Sequence, residues 1–323
     1  METLQTKFRP SLVTTVEGVS VIVSERSEDY LFCFMEHVIA GLWAVGKVRT
    51  AETYTTTLRS LKRFFNNRDI RLESLNSDRM MEYEAYLKAN GVRPNTSSFY
   101  MRTLRAVYNR AVEKNLTMQR YPFKHVYTGV DKTVKRAVPA KAIRQIKRMD
   151  LSCSPTLDFA RDMFLFSFYT RGMAFVDMAY LRKKDLSNGI LSYHRRKTGQ
   201  KLTVKWESCM QDLLDKYDTG CSDYLLPIIH PQSEINVRNQ YLYASNKVNQ
   251  SLKIIGEKLN LSHPLTMYVS RHSWASIAKS MNVPLSVISE GMGHDSEATT
   301  RIYLASLSTA AIDRANLKIL RSL

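Results

Sequence analysis

Apolar side chains recur every three or four residues through the first hundred positions of the chain, which is the spacing of amphipathic helices. The pattern predicts four helices: the first begins near Ser27, the third runs from Ser77 to Gly91, and the fourth follows Pro94. Residues 12–23, rich in Val and Thr, favour a small hairpin or an extended arm. The apolar faces of the four helices are formed, in order, by Leu31, Phe34, Met35, Val38, Ile39 and Leu42; Tyr54, Leu58, Leu61 and Phe65; Met81 and Leu87; and Phe99, Leu104, Val107, Tyr108 and Val112.

The second half of the chain combines further helices with one stretch of alternating residues. A helix is predicted near Ala140, and residues 159–169 are so apolar that they predict a buried helix. Residues 190–206 alternate like two strands joined by a turn and predict a β-hairpin. From about Lys247 the pattern is helical, with a last helix at 308–323. The predicted fold is therefore mostly α with a small β-hairpin or sheet, in the α+β class.

A length of 323 residues favours two domains. Residues 128–139 contain the Gly, Lys and Pro typical of an exposed linker. We therefore expect an N-terminal arm of uncertain structure at residues 1–24 and a helical domain at 25–127. The basic linker at 128–139 would then join it to a second domain at 140–323.

The chain carries a formal net charge of +17 and has a pI of about 9.7. Between Gly91 and Asp150 there are 14 Lys and Arg residues against 3 Asp and Glu residues. Such an excess suits a protein that neutralises a phosphate backbone, so the composition indicates a nucleic-acid partner. A generally basic protein with ordinary solvated helix faces is the alternative. The residues expected to contact DNA in the helical domain and the linker are Arg102, Arg105, Arg110, Lys132, Lys135 and Arg136.

Composition also disfavours two other classes of protein. Neither zinc-site nor disulfide-framework spacing connects the four cysteines, which predicts free thiols in a reducing compartment. The first residues are polar and no apolar run reaches the length of a membrane span, so no signal peptide and no membrane segment are predicted. We expect a cytoplasmic protein that uses no cofactor and no metal ion.

Three clusters in the second half of the chain carry side chains suited to phosphodiester chemistry. Guanidinium forks bind the non-bridging oxygens of a phosphate in a planar, bidentate way. A tyrosine phenol can attack phosphorus and form a covalent phosphate ester. The combination points to nucleic acid as the substrate. The clusters are Tyr169-Thr170-Arg171-Gly172, Ser270-Arg271-His272-Ser273-Trp274-Ala275 and Gly293-His294-Asp295-Ser296-Glu297-Ala298-Thr299-Thr300-Arg301-Ile302-Tyr303.

These motifs resemble those of the tyrosine recombinases, the phage-integrase family. The most specific are Gly-x-Gly-His with Thr-Thr-x-x-Tyr, and Arg-His-Ser-Trp-Ala, and the resemblance covers about residues 25–323. It implies that residues 25–127 form a core-binding domain and that residues 140–323 form the catalytic domain. It also implies that the last helix exchanges onto a neighbouring protomer, although packing on its own domain is the alternative.

The resemblance also implies a role for each matching residue. Tyr303 matches the nucleophile, and Arg171 and Arg271 match the two arginines that clamp the phosphate. Lys197, in the predicted hairpin turn, matches the general acid that protonates the 5′-oxygen leaving group, while a solvated turn lysine is the alternative. His294 matches the residue that hydrogen-bonds the scissile phosphate.

The clearest departure from the family pattern lies before Arg271, while the gap of six residues from Arg171 to the acidic residue Asp177 is also longer than the usual three. Tyr268 stands three residues before Arg271, where the family usually has His. Tyrosine is a poor general base at neutral pH, although its hydroxyl can donate a hydrogen bond to a phosphate oxygen. In the hairpin turn, Arg195 and Arg196 are expected to contact DNA.

The function that the resemblance implies is that of a site-specific recombinase or integrase of a mobile genetic element. It would cleave and rejoin strands through a 3′-phosphotyrosine, without metal or ATP. The expected partner is double-stranded DNA with inverted-repeat core sites, bound by a homotetramer that is a monomer or weak oligomer off DNA, with possible DNA-bending accessory proteins. The protein would associate with the nucleoid when bound. Two alternatives stay open: relaxation of supercoils in the manner of a type IB topoisomerase, and DNA binding or DNA architecture with a decayed active site.

Overall fold

The computed structural model describes residues 28–131, 136–304 and 320, together with the backbone of residues 14–16 and 19–21. Of residues 302 and 303 only the backbone is described. The chain divides into two compact units, Met1–Thr133 and Val134–Leu323, each with its own hydrophobic core. The predicted helix at 308–323, apart from Leu320, lies outside the described residues, as do Lys132 and Lys135.

In the described part of the first unit, four α-helices follow a short hairpin. The core of the unit forms where α1 packs on α2 and α4, and where α3 packs on α4. In the hairpin the two strands are antiparallel, with Thr14 opposite Val21. The elements are β1 (Thr14–Val16), β2 (Val19–Val21), α1 (Leu31–Ala44), α2 (Val48–Phe64), α3 (Ser77–Ala89) and α4 (Pro94–Glu113).

Side chains with capping chemistry determine where these helices begin. The carboxylate of Asp69 accepts hydrogen bonds from the backbone N–H of Phe32 at 2.8 Å and of Cys33 at 3.2 Å, which caps the first turn of α1. Asn76 caps α3 by accepting a backbone N–H at 3.0 Å. Pro94 occupies the first turn of α4, where its missing N–H leaves no helical hydrogen bond unmade.

Helix α4 has one apolar and one basic side. Its apolar side, which includes Met101 and Leu104, is buried in the core of the first unit. The opposite side is exposed, and there Arg105 donates to the hydroxyl of Thr128 at 3.3 Å while Arg110 lies over the ring of Tyr54. The exposed arginines of this side are Arg102, Arg105 and Arg110.

The second unit is mostly helical and contains one small sheet. The sheet has the strand order β3-β4-β5 and is antiparallel throughout, with Leu191 of β4 paired to Val204 of β5. The elements are α5 (Ala140–Arg148), α6 (Pro155–Tyr169), α7 (Phe175–Ala179), β3 (Leu186–Ser187), β4 (Ile190–His194), β5 (Lys201–Lys205), α8 (Ser208–Leu214), α9 (Val237–Lys258), α10 (Met267–Ser280), α11 (Leu285–Gly291) and α12 (Glu297–Tyr303).

Helix α6 is the central element of the second unit. It is apolar around most of its circumference and therefore packs against α5, α8, α9 and α10. Phe164 and Phe166 are completely buried. Burying a large aromatic side chain contributes about 2 kcal/mol, so these two residues strongly favour this placement. The C-terminal end of α6 is thereby fixed, so the residues directly after it are held in a defined position.

A cluster of charged side chains secures the N-terminal half of α6. Asp162 is 0% exposed, and its carboxylate accepts hydrogen bonds from Arg161 Nε at 2.9 Å, from the Tyr217 hydroxyl at 2.8 Å and from the Lys216 ammonium. Asp158, which is more exposed, also binds both Arg161 and Lys216. A buried carboxylate is stable only when it is paired and hydrogen-bonded in this way.

The sequence predicted most of these elements. The fold class is confirmed, as are the four helices of the first unit and the hairpin at 190–206. Helix α1 begins at Leu31 rather than near Ser27, because Tyr30 is extended and pairs with Arg71 in an isolated bridge. The pattern missed β3, α7 and α8, because two to seven residues hold too little of a period to be recognised, and it also missed the part of α9 before Lys247. Within the described ranges, no helix is long and apolar enough to cross a membrane.

We expect Asp162→Ala to lower the free energy of unfolding by about 3 kcal/mol, because it leaves Arg161 and Lys216 next to a buried space without their principal counter-charge. The control is Asp158→Ala, which removes a more exposed carboxylate from the same two partners and should cost about 1 kcal/mol. Urea denaturation of the full chain, followed by circular dichroism, measures both values. Equal losses in the two variants would contradict the central role of Asp162.

Candidate active site

The backbone directly after α6 adopts an unusual conformation. Arg171 has φ +61° and Gly172 has φ +75°, so two successive residues are left-handed. For a residue with a Cβ atom this conformation costs about 1 to 2 kcal/mol, and it persists only where the surroundings impose it. Here the N–H of Gly172 donates to the Ser167 carbonyl at 2.7 Å and closes the helix end. The turn directs the Arg171 side chain toward the sheet, where Nη1 donates to the Thr203 carbonyl at 3.2 Å.

Gly172 lies directly against α10. A Cβ atom at this position would approach the Cα of Arg271 to 2.7 Å and its Cγ to 2.9 Å, closer than any real contact. Nearby, the Ser270 hydroxyl donates to the Ser167 hydroxyl at 3.0 Å, and Ser167 in turn donates to the Met173 carbonyl at 2.7 Å. The end of α6 and the start of α10 are therefore joined by a close backbone contact and by buried hydrogen bonds.

Arg271 is the most enclosed cationic group of the site, with 5% of its surface exposed. Nη1 donates to the Gly172 carbonyl at 2.7 Å, and Nη2 donates to the Met292 carbonyl at 2.6 Å. Nη2 also lies 2.9 Å from Nε2 of His294. The two carbonyls follow the C-terminal ends of α6 and α11, where the helix dipoles favour a cation. The guanidinium is thus oriented by three groups from two separate parts of the chain, Gly172 and the segment 292–294.

His294 is 9% exposed and is bound through both ring nitrogens. Nε2 contacts Arg271, and Nδ1 lies 2.8 Å from the hydroxyl of Thr300. Burial, together with the positive charges of Arg271, Arg195 and Lys197, lowers the pKa of His294 to about 4. The imidazole is therefore neutral at physiological pH.

The turn between β4 and β5 brings further basic groups to the same place. Arg195 is 8% exposed and donates to the Gly293 carbonyl, next in the chain after the carbonyl that Arg271 binds. Arg196 is exposed and stacks on the ring of Tyr180, 3.8 Å from the ring centroid. Lys197 is exposed at the tip of the turn. The turn thus presents one enclosed and two accessible cationic groups.

A buried carboxylate, that of Asp177 on α7, lies among these arginines. It accepts the backbone N–H of Arg196 at 2.9 Å and so attaches the hairpin turn to α7. Burial raises the pKa of Asp177, while this hydrogen bond and the charges of Arg195 and Arg271 oppose that rise. The carboxylate therefore helps to hold the turn and offsets part of the cationic charge of the site.

Tyr268 lies on the first turn of α10. Its side chain is 56% exposed, and its ring meets the ring of His272 edge-on, with centroids 4.7 Å apart. Arg271 lies one turn further along the same helix. The structure therefore places Tyr268 at the surface beside the enclosed arginine.

Tyr303 is the last residue of α12, and its side chain lies outside the described part of the chain. The helix is capped by Ser296, which accepts the N–H of Thr299, and the next residue after it, Leu304, is buried in a small apolar cluster with Ala275 and Met292. Residues of α10 and α11 thus meet the residue directly after α12 in one cluster, which fixes the end of the helix that carries Tyr303.

Three positions of this site were given no role from the sequence. The hydroxyls of Ser167, Ser270 and Thr300 are all buried and hydrogen-bonded there. The Thr-Thr pair was a usable signal for Thr300, because one of the two faces inward. For the two serines no signal exists in the pattern, since a buried and an exposed serine are alike in sequence.

The arrangement is suited to bind an anion. Arg171, Arg195, Arg271 and Lys197 bring positive charge to the region around a neutral His294, and a groove of ≈ 570 Å³ lies beside Arg171. Fixed guanidinium groups stabilise negative charge without having to reorganise. No group of three or more His, Cys, Asp or Glu side chains is placed to hold a metal ion within the described parts of the chain.

We expect Gly172→Ala to lower the free energy of unfolding by about 3 kcal/mol, because the added methyl group is both strained at φ +75° and overpacked against Arg271. Gly189→Ala is the matched control: its φ is +71°, but nothing lies within 4 Å of the added atom, so only about 1 kcal/mol of strain is expected. Urea denaturation of the full chain checks the difference, and equal losses would contradict the close contact.

The pKa of His294 predicts how stability depends on pH. The folded pKa of about 4 lies below the usual value of 6.5, so between these limits only the unfolded chain binds the proton. This contribution to stability is therefore complete above pH 6.5, is lost as pH falls toward 4, and amounts to about 3 kcal/mol. Urea denaturation measures the free energy of unfolding at each pH. We expect the difference in this free energy between the wild type and His294→Gln to shrink by this amount as pH falls through that interval. A difference that stays constant with pH would contradict the assignment.

Comparison with known proteins places the chain in a family. Residues 30–126 match the phage integrase SAM-like domain, and residues 143–309, more than half of the chain, match the phage integrase family. Among curated protein sequences, none matches the chain. Two independent domain matches therefore support the predicted family. The second of them includes every predicted catalytic position.

Solved structures share the fold at low sequence identity. A lambda integrase tetramer bound to a Holliday junction superimposes with a TM-score of 0.62 at 16% identity, over 88% of this chain and 79% of that one. The Tn1549 transposon integrase in complex with transposon right end DNA gives 0.64 at 13% identity, over 90% and 99%. The XerH site-specific recombinase bound to palindromic difH substrate gives 0.61 at 16% identity, over 85% and 79%. The sequence-based family prediction is confirmed, and this chain belongs to the phage integrase family, the tyrosine recombinases.

Proposed function

We propose that the protein is a site-specific DNA recombinase that cleaves and rejoins strands through a covalent bond to Tyr303. The observation that carries the proposal is the enclosed pair of Arg271 and His294, held between the ends of α6 and α11 in the unit that matches the phage integrase family. A guanidinium held in this way can receive a phosphate oxygen without first being ordered, which is how charge in a transition state is stabilised.

In this proposal the two arginines that bind the phosphate differ in burial and orientation before DNA binds. Arg271 is already enclosed and oriented, whereas Arg171 is only partly buried and donates to a carbonyl of β5. Both guanidinium groups bind the non-bridging oxygens of the scissile phosphate when DNA is present, and each offers planar, paired donors that lysine lacks. Arg171 exchanges its carbonyl acceptor for a phosphate oxygen during that step.

The chemistry assigned to the remaining residues is an in-line exchange at phosphorus. The phenolic oxygen of Tyr303 forms a bond to phosphorus while the bond to the 5′-oxygen breaks, and Lys197 gives a proton to that leaving oxygen. The phenolic proton passes to an acceptor at the DNA-bound site. Attack by a 5′-hydroxyl of the partner strand then reverses the sequence and releases Tyr303, so the ester bond energy is conserved and ATP is not required.

The proposed DNA contacts extend over both parts of the chain. The exposed arginines of α4 give residues 25–127 a basic face suited to a phosphate backbone, which supports a core-binding role. Residues 128–139 would act as a basic linker and residues 140–323 as the catalytic domain with its exchange helix, following an arm at residues 1–24. The enclosed position of Arg195 suggests that it orders the turn, while Arg196 contacts DNA.

The proposed partner is double-stranded DNA with inverted-repeat core sites. Support comes from relatives of the same fold, since XerH was solved on a palindromic substrate and lambda integrase as a tetramer on a Holliday junction. By this analogy the chain acts as a homotetramer on DNA and as a monomer or weak oligomer without it, with DNA-bending accessory proteins as further candidates. A cytoplasmic location at the nucleoid follows from such a substrate.

We expect Tyr303→Phe to retain DNA binding and to abolish covalent attachment, because only the nucleophilic oxygen is removed. The substrate is a nicked duplex that traps the adduct, prepared with candidate core sites from DNA flanking the gene, and the product is read on a denaturing gel. Tyr243→Phe, a change at a tyrosine that is 70% exposed on α9, is the matched control and should form the adduct at the wild-type rate.

The result separates this function from its alternatives. An adduct in the wild type that persists in Tyr303→Phe would overturn the assignment of the nucleophile. DNA binding without any adduct in the wild type would favour an architectural protein. An adduct accompanied by relaxation of supercoils, but by no exchange of strands between two sites, would favour the topoisomerase reaction.

A further inference from the structure

The hydrogen bonds around His294 determine which ring nitrogen carries the proton. A guanidinium group has donors and no acceptor, so the contact of 2.9 Å between Arg271 Nη2 and His294 Nε2 requires Nε2 to accept. Because the neutral ring has a single N–H, the proton is on Nδ1. That N–H then donates to the hydroxyl of Thr300, 2.8 Å away. The chain of contacts therefore runs in one direction, from the guanidinium through the ring to the threonine. In this state neither ring nitrogen offers an N–H to the scissile phosphate, which differs from the hydrogen bond that the family resemblance implies for His294.

Thr300 is in a position to link this chain to the nucleophile helix. Its side chain is 0% exposed, and it lies on α12 three residues before Tyr303, so the two residues share a side of the helix about one turn apart. The neighbouring Thr299 is exposed. Of the Thr-Thr pair, only Thr300 reaches the imidazole.

We propose that Thr300 is a positioning residue that accepts the Nδ1 proton of His294 and thereby keeps the Nε2 lone pair directed at Arg271. The same hydrogen bond fastens α12, and with it the residue Tyr303 at its end, to the guanidinium that clamps the phosphate. The inference about the proton and the hydrogen bond stands on geometry alone. Its effect on strand cleavage rests on the proposed function.

Loss of the threonine hydroxyl has a defined consequence. With Thr300→Val, the buried Nδ1–H of His294 loses its acceptor. If the proton moves to Nε2 instead, the ring presents an N–H to the N–H of Arg271. Two donors cannot face each other, so the guanidinium and the ring separate. A misplacement of about 1 Å in a phosphate-clamping group lowers the rate by about 10²-fold. DNA binding, which depends on many other cationic groups, stays close to that of the wild type.

The first measurement requires no DNA and no activity. The full-length chain, labelled with ¹⁵N at its seven histidines, is examined by NMR at pH 7, and the His294 signals are assigned by their loss in His294→Gln. We expect a protonated Nδ1 and an unprotonated Nε2 in the wild type and in Thr300→Ser, which keeps the hydroxyl. In Thr300→Val we expect this pattern to be lost while the other six histidines keep their signals, which shows that the protein is folded.

The second measurement is the single-turnover rate of adduct formation on the nicked duplex. Thr300→Val is expected to be about 10²-fold slower, Thr300→Ser to stay within about tenfold of the wild type, and Thr299→Val, the exposed neighbour, to be unchanged. An unprotonated Nδ1 in the wild type would overturn the proposal. So would a Thr300→Val variant with the wild-type histidine pattern, or one with an altered pattern and an unchanged rate.

The two measurements keep this proposal distinct from the proposed function. If the wild type shows the expected proton on Nδ1 and Thr300→Val loses it, but no variant forms an adduct on any substrate, the proposed recombinase function fails. In that case the hydrogen-bonding role of Thr300 is supported by the NMR result, and its role in positioning for catalysis is overturned together with the function.

Discussion

A guanidinium group removed from water has to have its hydrogen bonds supplied by the protein, and Arg271 imposes this constraint on the second unit. Its donors are received by the carbonyls of Gly172 and Met292 and by the ring of His294. The two carbonyls stand where α6 and α11 end, so the negative ends of two helix dipoles converge on one cation. Three segments that are distant in sequence must therefore meet within hydrogen-bond tolerance, and the remaining side chains of the site are arranged around that meeting point.

Arg195 repeats the arrangement, and each of the two arginines is matched by a glycine. Arg195 donates to the carbonyl of Gly293, and a Cβ atom on Gly293 would lie 2.9 Å from the Arg195 side chain. Gly172 bears the same relation to Arg271, whose side-chain Cγ would lie 2.9 Å from such an atom. In both places the backbone comes close enough to donate or accept only because no side chain intervenes, and both glycines also have positive φ. Each of these arginines therefore depends on its glycine, because the missing side chain leaves the space that the arginine occupies.

The site combines groups that the fold orients with groups that stay accessible. Arg271 and His294 are enclosed, whereas Lys197 is exposed at a turn and Tyr268 is 56% exposed at the start of α10. Enclosed donors favour the stabilisation of developing charge, because they need no reorganisation when the charge forms. An accessible side chain such as that of Lys197 can follow the substrate, which suits proton transfer to a leaving group and contacts to a DNA backbone. The division follows from the elements that carry these residues: helix ends packed in the core for the first group, and a turn and a surface helix position for the second.

The sequence by itself determined the fold class, the four helices of the first unit, the hairpin and the family, because these depend on periodicity and on short motifs that a linear pattern retains. It also named Arg171, Arg271, His294 and Tyr303 as candidates. Only the tertiary structure decided that Arg195 is enclosed and Arg196 exposed, although the two are adjacent in one turn. It alone indicated that the proton of His294 is on Nδ1. It alone also showed that Thr300, rather than Thr299, contacts the imidazole. The first two properties arise from contacts between segments about 20 to 100 residues apart, and the third from a contact across six residues. Burial and hydrogen-bond direction at such contacts leave no trace in the local order of residues.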